Sequence, residues 1–200
     1  MTTPSLLNGE PQAPRSRGIR ASFNRIDPGL WICLGLVVIA AWPFISRPSL
    51  PVMTDTEMHV YRAAEILDAL RSGVLYTRWA PDFYYGYGYP LFNYYSPLTY
   101  YLAAWYALLT GTGAVAGIKF VFVLGYLLGA VGMYLFVRDR WGGVPGIVAS
   151  TAFLFSPYLI FIDPHARGDA PEFLAIAASP LLFWAFSRLR RTGSPGDTAL

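Results

Sequence analysis

A single cysteine among 200 residues, Cys33, leaves no partner for an intrachain disulfide and no cysteine-based metal site. It lies inside an apolar segment and reads as a small packing residue. Charge is scarce as well. Only 14% of the residues are charged, against roughly a quarter in soluble domains, and long tracts carry none. Hydrophobic residues make up 54%, and the mean hydropathy is +0.40. This combination excludes an ordinary soluble domain and points to a membrane protein. The net charge of +3 is small. The arginines sit beside apolar tracts, where topology explains them better than nucleic acid does. No Walker A, Gly-x-Ser-x-Gly or Cys-x-x-Cys motif occurs. Gly111-x-Gly113-x-x-x-Gly117 has the wrong spacing for a dinucleotide fingerprint and lacks a preceding strand.

What is present is a series of apolar segments around one loop rich in ionisable and aromatic residues. Residues 1–28 are rich in Pro, Ser and Arg without apolar periodicity, which predicts a disordered tail. No convincing small-x-small cleavage site follows Ala40-Ala41, so the first apolar segment reads as a retained span and not as a signal peptide. Spans are expected at about 30–46, 118–137, 144–162 and 173–187. Trp31 and Trp42 suit the two interfaces of the first. Gly125 and Gly129 give the second a small-xxx-small packing face. The loops at about 47–117 and 163–172 then share one side. In the first, residues 54–72 form an amphipathic helix: Val60, Ala63, Ala64, Leu67 and Leu70 share one side, Glu57, Glu65 and Asp68 the other, and Gly73 stops it. Gly86, Gly88 and Pro90 mark a folded loop. Residues 97–109 are apolar and aromatic but short for a span.

Parity decides their placement. If 97–109 crossed the membrane, Arg138/Arg140 and Arg188/Arg190/Arg191 would lie outside. If they lie in the outer interface, both clusters join the N-terminal arginines inside, as the positive-inside rule favours. The expectation is an all-α integral membrane protein, a multi-span helical bundle with amphipathic, surface-lying helices in its first outer loop and a cytoplasmic N-terminus. The polar residues 192–200 read as the start of a cytoplasmic loop, with more spans expected beyond it.

The chemistry-bearing residues gather in the outer loops. Asp55, His59 and Arg62 recur at i, i+4 and i+7, one stripe on a helix. A carboxylate, an imidazole and a guanidinium at the membrane surface are what chemistry on a lipid phosphate needs. Glu57 is a second candidate acid, although Thr54-x-x-Glu57 also reads as a capping box. In the second loop Asp169 reads as an N-cap, with Pro171 early in the helix and Glu172 reaching back. Arg167 adds charge that a plain turn does not need, and charge at a membrane boundary often marks a site. His165 reads as an exposed turn residue. The aromatic run offers an interfacial belt or stacking platforms for a sugar ring, with Trp79 the best placed.

Asp55…His59, Gly73…Arg78-Trp79, Gly86-x-Gly88-x-Pro90 and Tyr94-Tyr95-x-Pro97-Leu98-x-Tyr100 together resemble the amino-terminal part of the GT-C superfamily. These are polytopic glycosyltransferases that use polyprenyl-phosphate-linked sugars. The resemblance covers roughly residues 27–191 and is nearest to bacterial membrane proteins labelled 6-pyruvoyl-tetrahydropterin synthase-related, although nothing in the residues points to pterin chemistry. It implies an essential acid in the first outer loop, mapping onto Asp55, and a second at Asp169 or Glu172. It further implies a polyprenyl-phosphate sugar donor, transfer to a glycan, lipid or protein acceptor on the outer face of the cytoplasmic membrane, and inversion at the anomeric carbon. Asp55 then serves as general base or holds a divalent metal with His59. Arg62, Arg78 or Arg167 holds the departing phosphate, and Trp79, Tyr94 and Tyr95 contact the sugar. The rival reading is a non-enzymatic transporter or assembly factor for lipid-linked glycans. It predicts ionisable residues lining a path inside the spans, where the sequence has almost none.

Overall fold

The computed structural model describes residues 27–51 and 54–192. Most of the expected tail and nearly all of the expected loop after 191 lie outside the described residues. The described chain is helical: α1 Pro28–Ser46, α2 Thr56–Arg71, α3 Leu98–Thr110, α4 Ala114–Trp141, α5 Gly143–Leu154 and α6 Ala170–Thr192, with a single 3-10 turn at Leu91–Asn93 and a π-helical segment at Tyr158–Arg167. Among these residues there is no β-strand, only one isolated bridge between Ala80 and Tyr89.

Among the described residues four stretches are long and apolar enough to cross a membrane: Pro28–Ser46, Ala114–Trp141, Gly143–Arg167 and Ala170–Arg191. The protein is an all-α, multi-span membrane protein. At ~1.5 Å per residue, the 28 residues of α4 reach about 42 Å, ample for a hydrocarbon core of ~30 Å. The 13 residues of α3 reach only about 20 Å, short of that thickness.

A span is apolar all round, so polarity cannot choose its buried side. In α1 small residues help choose it. Cys33, Val37, Ala40, Ala41 and Phe44 are buried, while Trp31, Ile32, Val38, Ile39, Trp42 and Ile45 are exposed on the protein surface. Cys33 packs as expected, its thiol donating to Ser150 Oγ at 3.6 Å, and Ser150 donates to Ala130 O at 2.8 Å. The central helix is α4, which touches α1, α2, α3, α5 and α6. Its Gly125 leaves space filled by Phe173, and its Gly129 lies against Phe153 and Ala177, so the small-residue face packs against α6 and the end of α5.

The two poles of the bundle differ in charge. At one pole Asp27 caps α1 by accepting from the Gly29 N–H, and it also accepts from the Tyr134 hydroxyl and from Arg138 Nη1, both at 2.7 Å. Asp139 accepts from Trp184 Nε1, and its carbonyl from Arg191. Arg138, Arg140 and Arg191 thus gather where α1 begins and where α4 and α6 end. At the other pole the N–H groups of Thr54 and Asp55 donate to the carbonyls of Ala166 and Arg167. The two acidic loops therefore lie side by side, at the pole opposite the arginines.

Three features differ from the sequence reading. The third span does not end in a polar turn at 163. The helix continues, widened to π geometry, through Arg167, and only Gly168 and Asp169 remain as the turn. Gly168, at φ 76°, closes it by donating its N–H to Asp163 O. His165 is consequently not an exposed turn residue: it is half-buried in that segment, with its ring stacked on Phe44 at 4.9 Å. Glu65 does not face outward. It is buried and accepts from the Asp82 N–H at 3.2 Å, because the loop 74–90 folds back over that side of α2. Gly73, at φ 83°, ends α2 as expected.

Candidate functional site

The expected capping box does not form. Asp55, not Thr54, occupies the N-cap position of α2, and no side chain caps this end. The Thr54 hydroxyl donates to Ala166 O at 3.2 Å, and the Asp55 N–H to Arg167 O at 2.8 Å. A helix ends with carbonyls that lack intrahelical partners. Here the end of the π-helical segment gives two of them to the start of α2. The backbone does the anchoring, and the Asp55 carboxylate is left uncommitted.

From this anchor the expected stripe forms. Asp55, Met58, His59 and Arg62 of α2 line a cavity of about 190 Å³ together with Tyr95 and Asp169. His59 and Arg62 are buried. The His59 Nε2 lies 3.7 Å from Asp169 Oδ1, and its Nδ1 lies 2.9 Å from the Tyr100 hydroxyl. Arg62 donates to that same hydroxyl at 3.0 Å, lies over the Tyr95 ring at 4.1 Å, and keeps a buried Nε–H with no partner. Burial pushes the His59 pKa down from its ordinary value and Arg62 adds to this, while Asp169 and Asp55 pull the other way. The imidazole is therefore neutral at physiological pH.

A second cluster adjoins this cavity. Arg167 donates to Glu172 at 2.8 Å and to the Tyr158 hydroxyl at 2.7 Å. It also lies 3.4 Å from Asp169 and 3.6 Å from Asp163. Asp169 caps α6 as expected, accepting from the Glu172 N–H at 3.1 Å. Glu172 does not reach back to complete the box. Its carboxylate accepts from Tyr158 and Arg167. Asp163 is fully buried and, among the described residues, has no hydrogen-bond partner on either oxygen; Arg167 is the cation beside it.

The structure thus brings Asp55, His59, Arg62, Tyr95 and Asp169 to one cavity, with Arg167 and Glu172 behind it. Glu57 is exposed and lines a different hollow with Ser49, Leu50 and Tyr61. Arg78 lies over the Tyr76 ring, and Trp79 borders a groove with Thr77, Pro81 and Asp82. Tyr94 is 79% exposed and outside the cavity. Sequence reasoning missed Tyr100, Tyr158 and Asp163 as members. Asp163 and Arg167 carried a readable signal, an acid four residues before an arginine at the end of an apolar run. Tyr100 carried none that set it apart from its aromatic neighbours.

As a metal site the residues fit poorly. Among the described residues no three His, Cys, Asp or Glu side chains are grouped to hold an ion, and His59 uses Nδ1 on Tyr100. Asp55 and His59 supply too few donors on their own.

A family model described as the 6-pyruvoyl-tetrahydropterin synthase related domain, a membrane protein, matches residues 92–199. The chain belongs to this family. The matched part of the chain includes Tyr95, Tyr100, Arg167, Asp169 and Glu172, while Asp55, His59 and Arg62 come from the segment before it. No curated protein and no solved structure matches the chain.

Proposed function

We propose that the cavity is the active site of a GT-C-type membrane glycosyltransferase. It takes a sugar from a polyprenyl-phosphate donor and gives it to a glycan, lipid or protein acceptor on the extracytoplasmic face of the cytoplasmic membrane. The N-terminus then lies in the cytoplasm with the arginine pole, as the positive-inside rule asks. One observation carries the reading: Asp55, His59, Arg62 and Asp169, from two separate loops, meet in one cavity at the pole opposite the arginines.

Asp55 takes the proton of the acceptor hydroxyl. Its carboxylate is the natural choice because the backbone, not the side chain, holds this end of α2. The acceptor oxygen forms its bond to the anomeric carbon as the bond from that carbon to the phosphate oxygen breaks, and the phosphate leaves with the electron pair. Of the three arginines named for the phosphate, Arg62 fits best. Arg167 is already offset by Asp163, Asp169 and Glu172, and Arg78 lies outside the cavity. Arg62 has a phenol and an aromatic ring for neighbours and a spare buried N–H. No step requires a metal.

The test uses the protein in liposomes with radiolabelled polyprenyl-phosphate sugars and a membrane extract as acceptor. Label moving from the lipid onto the acceptor is the expected result. Label crossing the bilayer on an unchanged lipid would overturn the reading in favour of transport.

A further inference from the structure

Tyr100 is fully buried on α3, and its hydroxyl stands between two side chains of α2. Arg62 Nη1 donates to it at 3.0 Å. A guanidinium has donors only, so the phenol oxygen is the acceptor in this bond. The single phenol proton then needs an acceptor of its own, and His59 Nδ1 stands 2.9 Å away. Were Nδ1 protonated, two donors would point at one oxygen and the phenol proton would be buried without a partner.

We infer that Tyr100 locks His59 in the neutral tautomer that carries its proton on Nε2, so that the ring is a hydrogen-bond donor in the cavity and not a base. Asp169 Oδ1 lies 3.7 Å from Nε2, too far for a direct hydrogen bond. The N–H is therefore left to donate to an oxygen that enters the cavity beside it, and a sugar hydroxyl there can accept from Nε2 and donate to Asp169. The groups facing the ring are Asp55 and Arg62 on its own helix, Tyr100 on α3, and Asp169 before α6. Tyr100 is a positioning residue: it acts on a substrate only through His59. The use of the ring in sugar transfer rests on the proposed function, whereas the tautomer rests only on these three side chains.

The chain has two histidines, His59 and His165. With ring-15N-labelled histidine and a His165→Gln background, NMR of the protein in lipid nanodiscs reads the His59 ring alone. Near neutral pH the bare nitrogen is expected at Nδ1 and the protonated one at Nε2. In Tyr100→Phe the preference for Nε2–H is expected to be lost, with both tautomers seen. Protonation at Nδ1 or at both nitrogens in the Tyr100-containing protein overturns the inference. An unchanged ring in Tyr100→Phe also overturns it. If Tyr100→Phe does not fold, the spectrum of the Tyr100-containing protein still decides the tautomer, and Arg62→Gln, which removes the donor that orients the phenol, is expected to weaken the same preference. A ring with the expected tautomer in a protein that transfers no sugar keeps this inference and removes the proposed function; active protein with the opposite tautomer does the reverse.

Discussion

Replacing Gly117 by alanine tests whether α3 is held on α4 by direct backbone contact. A Cβ at Gly117 would stand 2.3 Å from the Ala103 carbonyl oxygen, 2.8 Å from its carbon and 3.0 Å from its Cα. Ordinary contact begins at 3.4 Å, so α3 would have to retreat by about 1 Å. The obstacle is backbone, which cannot rotate aside, and overpacking of this kind costs roughly 1–3 kcal/mol. The retreat has a second effect. Tyr100 lies one turn before Ala103, and its bonds to His59 and Arg62, at 2.9 and 3.0 Å, would stretch beyond hydrogen-bond range. Thermal unfolding in nanodiscs reads the first effect, and the His59 ring spectrum reads the second. Gly35→Ala is the control. Nothing lies within 4 Å of its Cβ, and helix propensity predicts a gain of up to ~1 kcal/mol. Gly117→Ala as stable as the parent, with an unchanged His59 spectrum, would refute the close α3–α4 approach.

Other outcomes follow from the charged groups. The folded His59 pKa lies below the ordinary 6.5, so the unfolded chain binds more protons at mildly acidic pH. Stability is therefore expected to fall as pH drops below about 6.5, and His59→Gln should flatten that slope in a pH series of melting curves. Arg167→Met leaves buried Asp163 without its cation. The variant is expected to be less stable, with the loss reduced by solvent screening because Arg167 is 39% exposed; chemical denaturation in micelles measures it. Asp27→Asn weakens bonds to Tyr134 and Arg138 and is expected to cost roughly 1–3 kcal/mol by the same measurement.

Much of this architecture was legible in the sequence because spans declare themselves by length and apolarity. The expected first span, 30–46, falls within α1, and the 97–109 segment forms a helix too short to be among the four candidate spans. The i, i+4, i+7 spacing placed Asp55, His59 and Arg62 on one face of α2, and the Asp169 cap was read from its neighbours. What the sequence hid was long-range. Nothing local tells that carbonyls at 166 and 167 will hold the start of α2, so a capping box was the natural reading of Thr54-x-x-Glu57. Glu65 looks like a surface acid until loop 74–90 folds over it. Residues 163–167, the second half of the π-helical segment, read as a turn because Asp163-Pro164-His165 looks like the end of a span. Tyr100 was one ring in a crowded aromatic run, and only its partners on α2 set it apart.

The central claim, that Asp55 is the base of a sugar-transfer site, is tested most directly by comparing Asp55→Asn with Glu57→Gln in the liposome transfer assay, each variant first shown to fold. Transfer should fall by roughly 100-fold or more in Asp55→Asn, the usual scale for losing a general base, and persist in Glu57→Gln, whose carboxylate lies outside the cavity. Equal transfer by Asp55→Asn and the unaltered protein would contradict the claim.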